Sequence, residues 1–134
     1  MYTFNFRRAS NLDEARQIHQ SSSDAVYVAG GMTLIPSLKL RLASPEDVVD
    51  LSQIDGLSTI SSTDSVLSIG AMARHNDVAK TTEIPALAAL ASRIGDAQVR
   101  NCGTIGGSLA NNDPAADYPA AVLGLGATIH TNSR

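Results

Sequence analysis

Apolar residues in the first fifty positions follow two rhythms. Tyr2, Phe4 and Phe6 recur with period two, which predicts a half-buried strand over residues 2–6. Leu12, Ala15 and Ile18 then fall on one helical face. Asn11, with Glu14 three positions on, forms a variant capping box, so residues 11–20 read as a short amphipathic helix. Residues 25–29, Ala-Val-Tyr-Val-Ala, form an apolar run rich in β-formers. This buried strand delivers the chain into Gly30 and Gly31. Residues 32–42 read as a helix that tolerates Pro36 in its first turn, and Val48-Val-Asp-Leu reads as a third strand. The alternation of strand and helix predicts a small α/β unit with parallel pairing.

The texture changes at the Asp55-Gly56 turn, where a subdomain boundary is expected. Leu57-Ser-Thr-Ile and Val66-Leu-Ser-Ile-Gly, joined through Asp64 and Ser65, predict a hairpin-like pair of strands. Asn76 is placed to cap a short helix reaching Lys80. Residues 83–94 carry the clearest helical pattern: Ile84, Leu87, Ala88, Ala91 and Ile94 share a face, between Pro85 at the start and Gly95 at the stop. A glycine loop follows, then a short helix from Pro114 interrupted at Pro119, and Thr128-Ile-His-Thr as the opening of another strand. That strand has no partner in the sequence, and the expectation is a piece of a longer chain.

Composition narrows the classes. The chain has 134 residues, 43% of them apolar, and a formal net charge of -3, so a packed core is attainable. The ten basic residues are scattered, without the concentrated footprint of a nucleic-acid binder. No apolar run reaches the roughly 20 residues of a membrane span. The N-terminus lacks the order of a signal peptide, so a cytoplasmic protein is expected. Cys102 is the single cysteine and cannot by itself form a disulfide, a zinc site or an iron–sulfur cluster. It reads first as a small buried hydrophobe and second as a partly exposed thiol beside a ligand loop. His19, His75 and His130 lack metal-ligand spacing, and no metal ligand is expected.

The chemistry concentrates in two glycine-rich stretches. Val28-Ala-Gly-Gly-Met-Thr-Leu is the first. A helix beginning near Met32 would aim free N–H groups at whatever lies over the turn, and Thr33 would add a hydroxyl. A tight strand-to-helix turn explains Gly30 and Gly31 equally well. The second stretch sets Gly103, Gly106 and Gly107 among Asn101, Thr104 and Ser108. Glycines there let backbone N–H groups line one concavity suited to phosphate, and a side chain at Gly106 or Gly107 would block that approach. Two such loops point to a ligand with a pyrophosphate, such as a dinucleotide. Neither a Gly-x-Gly-x-x-Gly fingerprint nor a P-loop lysine is present. Asp113 suits a helix cap. Asp117 suits one less well and is better matched to a ribose hydroxyl or a base N–H. No side chain reads as a general base or nucleophile.

Ala29-Gly-Gly-Met-Thr-Leu and Arg100-Asn-Cys-Gly-Thr-Ile-Gly-Gly-Ser-Leu-Ala-Asn-Asn-Asp-Pro-Ala-Ala-Asp resemble the two FAD-contacting loops of the molybdenum hydroxylase flavoprotein subunits. That family includes the medium subunit of aerobic carbon monoxide dehydrogenase and the FAD domain of xanthine dehydrogenase. Pro45-Glu-Asp-Val-Val-Asp-Leu-Ser, Ile69-Gly-Ala-Met-Ala-Arg-His and Ile84-Pro-Ala-Leu carry the resemblance along nearly the whole chain. It implies an α+β, two-subdomain FAD-binding fold of the vanillyl-alcohol oxidase and para-cresol methylhydroxylase type. Residues 1–55 would form a small α/β subdomain, and residues 56–134 a second subdomain, incomplete at its C-terminus. Carried over by position, Ala29, Gly30, Gly31, Met32, Thr33 and Leu34 would form one diphosphate loop. Thr104, Ile105, Gly106, Gly107 and Ser108 would form the other, with Ile105 near the flavin, Asp117 on the nucleotide side and Ile94 against the adenine. Met32 and Cys102 depart from residues common in relatives, and neither departure removes a named ligand.

The function the resemblance implies is that of an FAD-dependent oxidoreductase subunit for electron transfer, partnered by a molybdenum-cofactor large subunit and a [2Fe-2S] small subunit. Two readings compete with it. One is a non-redox assembly or binding module that keeps the fold without stable FAD. The other is a phosphosugar- or nucleotide-binding enzyme, disfavoured by the missing base and metal constellation.

Overall fold

A computed structural model describes residues 1–132; Ser133 and Arg134, the end of the expected second subdomain, lie outside the described residues. The first fifty residues build a parallel sheet from β1 (Asn5–Arg8), β2 (Ala25–Val28) and β3 (Asp47–Asp50), in the order β1-β3-β2. Register pairs Phe6 with Val48 on one side, and Val26 with Val48 on the other. The middle strand is buried throughout, and its two valines point to opposite faces. Val49 packs with Ala9, Ala15 and Ile54, beneath helix α1 (Leu12–Ser21). Val48 packs with Val28 and Leu38, beneath helix α2 (Leu34–Lys39). Thus each helix covers one face, as parallel sheets require.

β3 carries an aspartate at each end, and both are buried. Asp47 accepts from Ser22 Oγ at 2.8 Å and Arg7 Nε at 3.1 Å, and these two partners hold its carboxyl below the usual range. Asp50 accepts from Ser52 Oγ, the Ser52 N–H and Arg8 Nε. These pairings explain why β1 lies at 5–8 rather than at the expected 2–6. Two arginines leave the apolar alternation but gain buried carboxylates, and the ladder follows them. The predicted cap of α1 is present: the Glu14 N–H donates to Asn11 Oδ1, while the Glu14 carboxylate accepts from Ser10 N–H and Oγ. The second helix is shorter than expected. Thr33 occupies its N-cap position, and Arg41 turns left-handed (φ 59°) just beyond its end.

The rest of the chain packs around a second core of Ala73, Val78, Leu87, Ala91, Ile105 and Tyr118. The predicted hairpin is formed by β4 (Ile60–Ser62) and β5 (Leu67–Ile69), paired antiparallel. Helix α3 (His75–Val78) starts at an Arg74 cap, with Asn76 inside it rather than capping it. An antiparallel bridge between Arg74 and Thr104 sets that start. Helix α4 (Pro85–Ser92) buries Leu87 and Ala91, four apart, and stops ahead of Gly95 (φ 50°).

The main correction falls on the glycine stretch, which is helical. Helix α5 (Ala97–Cys102) is capped by Asp96, which accepts from the Val99 N–H, and α6 (Ile105–Asn111) is capped by Thr104. Helix α7 (Tyr118–Gly124) begins after Asp117 rather than at Pro114. Asp113 closes a turn instead, accepting from the Ala115 N–H. The strand expected at 128–131 is irregular chain, since the β4–β5 sheet pairs only with itself among the described residues. Leu38 is 2% exposed between α2 and β3, so Leu38→Ala is expected to cost about 2–5 kcal/mol of stability, read from urea denaturation midpoints.

Candidate functional site

The two glycine stretches meet. β2 ends at Val28, and the next residues run along the turn between α5 and α6. Gly30 lies against the backbone of Cys102 and Gly103: a Cβ on it would stand 2.7 Å from the Cys102 carbonyl carbon and 2.8 Å from Gly103 Cα. A Cβ on Gly107 would approach Thr104 Oγ1 at 2.8 Å and Ala29 Cβ at 3.6 Å. Residues 29–30 and 102–107 therefore form one continuous surface. Gly31 takes the left-handed conformation (φ 72°) that its side of the turn requires.

The two stretches differ in what they leave free. In the first, the N–H groups of Gly31, Met32, Thr33 and Leu34 have no protein acceptor among the described residues. Met32 and Thr33 are exposed, and Leu34 packs against the Val28–Leu38–Val48 cluster. A six-residue helix carries little macrodipole, so these N–H groups themselves are the resource. In the second, the donors are already used. Ile105 N–H donates to Ala73 O, Gly106 N–H to Ala71 O, and Gly107 N–H to Thr104 Oγ1. What remains is the Thr104 hydroxyl proton and the Ser108 hydroxyl, which has no protein partner among the described residues.

This changes the meaning of Gly106. A Cβ there would meet Ala71 Cβ and Ala71 O, each at 2.6 Å. The approach of α6 to residue 71 by itself requires a glycine here. Ile105 is 7% exposed, its side chain part of the second core, and Ile94 packs partly buried against the same core. Cys102 is exposed at the end of α5, contrary to its reading as a buried hydrophobe. Asn101 is exposed too, its amide donating to Ala97 O.

Asp117 is exposed at the N-cap position of α7, and its carboxylate makes no cap bond. With Arg93, Ala86, Ala89 and Leu90 it lines an open depression of about 370 Å³. Behind it lies a pair that sequence reasoning missed. His75 Nδ1 and the Tyr118 hydroxyl oxygen are 3.2 Å apart, and both side chains are buried. Burial lowers the His75 pKa, and burial together with neighbouring Asp117 raises that of Tyr118, so both are held neutral. Forty-three residues separate them, and no local pattern joins them. Among the described residues no cluster of metal-ligating side chains occurs, and no helix is long and apolar enough to cross a membrane.

Known proteins resemble the chain along almost its whole length. Residues 2–134 match the family described as the FAD binding domain in molybdopterin dehydrogenase. The glyceraldehyde dehydrogenase medium chain of Sulfolobus acidocaldarius is 37% identical over 134 residues, covering 97% of this chain and 48% of that one. The carbon monoxide dehydrogenase medium chain of Hydrogenophaga pseudoflava is 39% identical over 127 residues, covering 91% and 44%. A crystal structure of a Cu,Mo-CO dehydrogenase superposes with a TM-score of 0.85 at 34% identity, covering 92% of this chain and 45% of that one. The chain thus spans just under half the length of the curated relatives it matches.

Three outcomes follow from this geometry and its buried imidazole. Gly30→Ala is expected to cost about 3 kcal/mol, the upper end of overpacking, because only backbone surrounds the new methyl. Gly124→Ala, with open space around it, should leave the urea midpoint unchanged or raise it. Burial keeps His75 neutral in the folded chain, whereas the unfolded chain takes up its proton below about pH 6.5. Stability is then full above that pH and falls as pH drops through it toward the folded value. Denaturation midpoints at pH 7.5 and 5.5 should show the fall, and His75→Asn should shrink it.

Proposed function

Since the chain belongs to the family of FAD-binding domains of molybdopterin dehydrogenases, we propose that it is the FAD-holding part of an electron-transfer subunit. The observation that carries the reading is the contact of residues 29–30 with residues 102–107, followed directly by four N–H donors at residues 31–34 that lack a protein acceptor among the described residues. A diphosphate is rich in acceptors and negatively charged, and this donor set fits it. Residues 29–34 and 104–108 contain no carboxylate to repel it.

In this reading the amides of Gly31, Met32, Thr33 and Leu34 grip the diphosphate, and the Thr33, Thr104 and Ser108 hydroxyls add donors. Ala29, Gly30 and Gly107 form the wall that brings the two stretches together, while Ile105 and Gly106 seat α6 against the second core and Ala71 beside the flavin site. Asp117 accepts from a ribose hydroxyl or a base N–H on the nucleotide side, with Ile94 contributing apolar surface toward the adenine. When bound, FAD would supply the redox chemistry for electron transfer between iron–sulfur centres and a final acceptor. The chain's own residues bind and orient; none acts as an acid, base or nucleophile.

The larger assembly follows the family. A molybdenum-cofactor large subunit and a [2Fe-2S] small subunit are the proposed partners, in the cytoplasm. The proposed fold is of the vanillyl-alcohol oxidase and para-cresol methylhydroxylase type, divided near residue 55, with this chain supplying the first part of a longer subunit. The relatives' names support an oxidoreductase complex: they are medium chains of glyceraldehyde and carbon monoxide dehydrogenases.

An absorbance spectrum of the purified chain, before and after adding FAD and removing the excess, tests the reading. Retained flavin bands are expected, and a colourless chain with intact far-UV circular dichroism would overturn it. Gly107→Val, which pushes a side chain between Thr104 and Ala29, should cut retained flavin roughly tenfold, and Cys102→Ser should change little. Stoichiometric flavin in a folded Gly107→Val chain would sink the loop assignment.

A further inference from the structure

His75 packs against the turn at Gly103, and Tyr118 directly follows Asp117 at the start of α7. His75 opens α3, and its backbone N–H donates to Gly103 O at 3.0 Å. Its ring lies so close to Gly103 that a Cβ there would stand 2.5 Å from Nε2. The residue that begins the turn into α6 is therefore shaped around this imidazole. On its other side, Nδ1 meets the Tyr118 hydroxyl at 3.2 Å, with ring centroids 5.3 Å apart and planes tilted by 43°. Tyr118 is fully buried, opens α7, and directly follows Asp117.

The contacts that otherwise bind α7 to the second core are apolar, among Tyr118, Ala121, Ile105 and Leu109. Such contacts are non-directional and leave a short helix free to turn or slide by a fraction of an ångström. A buried hydrogen bond between fixed rings removes that freedom, because breaking it strands two polar atoms away from water. The side chain of Asp117 makes no cap bond of its own, so its position depends on Tyr118 beside it.

We propose that His75 and Tyr118 are positioning residues, a buried latch that sets Asp117 and the turn at residues 103–108 relative to each other, so that both ends of one dinucleotide are met together. The latch is a statement about this chain; what the positioned groups hold rests on the FAD reading above.

The test uses the full chain as wild type, Tyr118→Phe, Asp117→Asn and the double variant. FAD affinity is read by quenching of flavin fluorescence, and amide hydrogen exchange is measured without FAD. Tyr118→Phe is expected to weaken FAD roughly fivefold or more, and the loss from Asp117→Asn should shrink to less than about twofold in the Tyr118→Phe background. Exchange should speed up at residues 103–108 and 117–121 while the rest of the second core stays protected. His75→Asn, whose amide keeps a polar group near the place of Nδ1, should recover most of the affinity that His75→Leu loses. Equal Asp117→Asn losses in both backgrounds, with unchanged exchange in Tyr118→Phe, would overturn the latch and leave an ordinary core pair. A wild-type chain that takes up no FAD, but shows the same exchange response, would uphold the latch and overturn the FAD reading.

Discussion

The structure depends on one close approach. Gly30 lies on the backbone of Cys102 and Gly103 with no room for a side chain between them. A contact of backbone on backbone cannot relax by rotating a side chain, so it fixes the exit of β2 against the junction of α5 and α6. On one side the position of Gly30 follows from the buried ladder of β2 with β3. On the other, Gly103 is held by the His75 amide and the Val99 carbonyl. The candidate site lies where these two well-braced pieces of chain touch.

From that approach comes a division of labour between the stretches. Three successive N–H groups at the start of α6 are spent on Ala73 O, Ala71 O and Thr104 Oγ1, which anchor the helix although glycines at 106 and 107 weaken its propensity. The groups after Gly30 are left open, because α2 begins only at Leu34 and no carbonyl among the described residues accepts from them. A cradle of free donors needs a rigid neighbour, and a frame needs its donors satisfied. Here one stretch does each.

The second core gives the frame its other support. Ile105 enters it from the first turn of α6 and Tyr118 from the first turn of α7, so both helices begin inside the core. The polar atoms admitted there, His75 Nδ1 and the Tyr118 hydroxyl, satisfy each other and stay neutral. The first half solves the corresponding problem with charge: Asp47 and Asp50 close the two ends of β3 against Arg7, Arg8, Ser22 and Ser52.

Local chemistry was legible in the residues themselves. The Asn11–Glu14 cap, the parallel unit, the hairpin and the helix opened by Pro85 all rest on side-chain periodicity and caps, and the two glycine stretches carry the family resemblance that the match over residues 2–134 bears out. These are short-range properties and survive without knowledge of the partner. What only the tertiary structure decided is which glycine serves what. Gly106 answers to Ala71, Gly103 to His75, and Gly30 to Cys102, pairings set by segments 28 to 72 residues apart and invisible to local pattern. The glycine-rich second stretch became helix for the same reason: distant carbonyls at Ala71 and Ala73 took its N–H groups and outweighed the loop preference of the sequence.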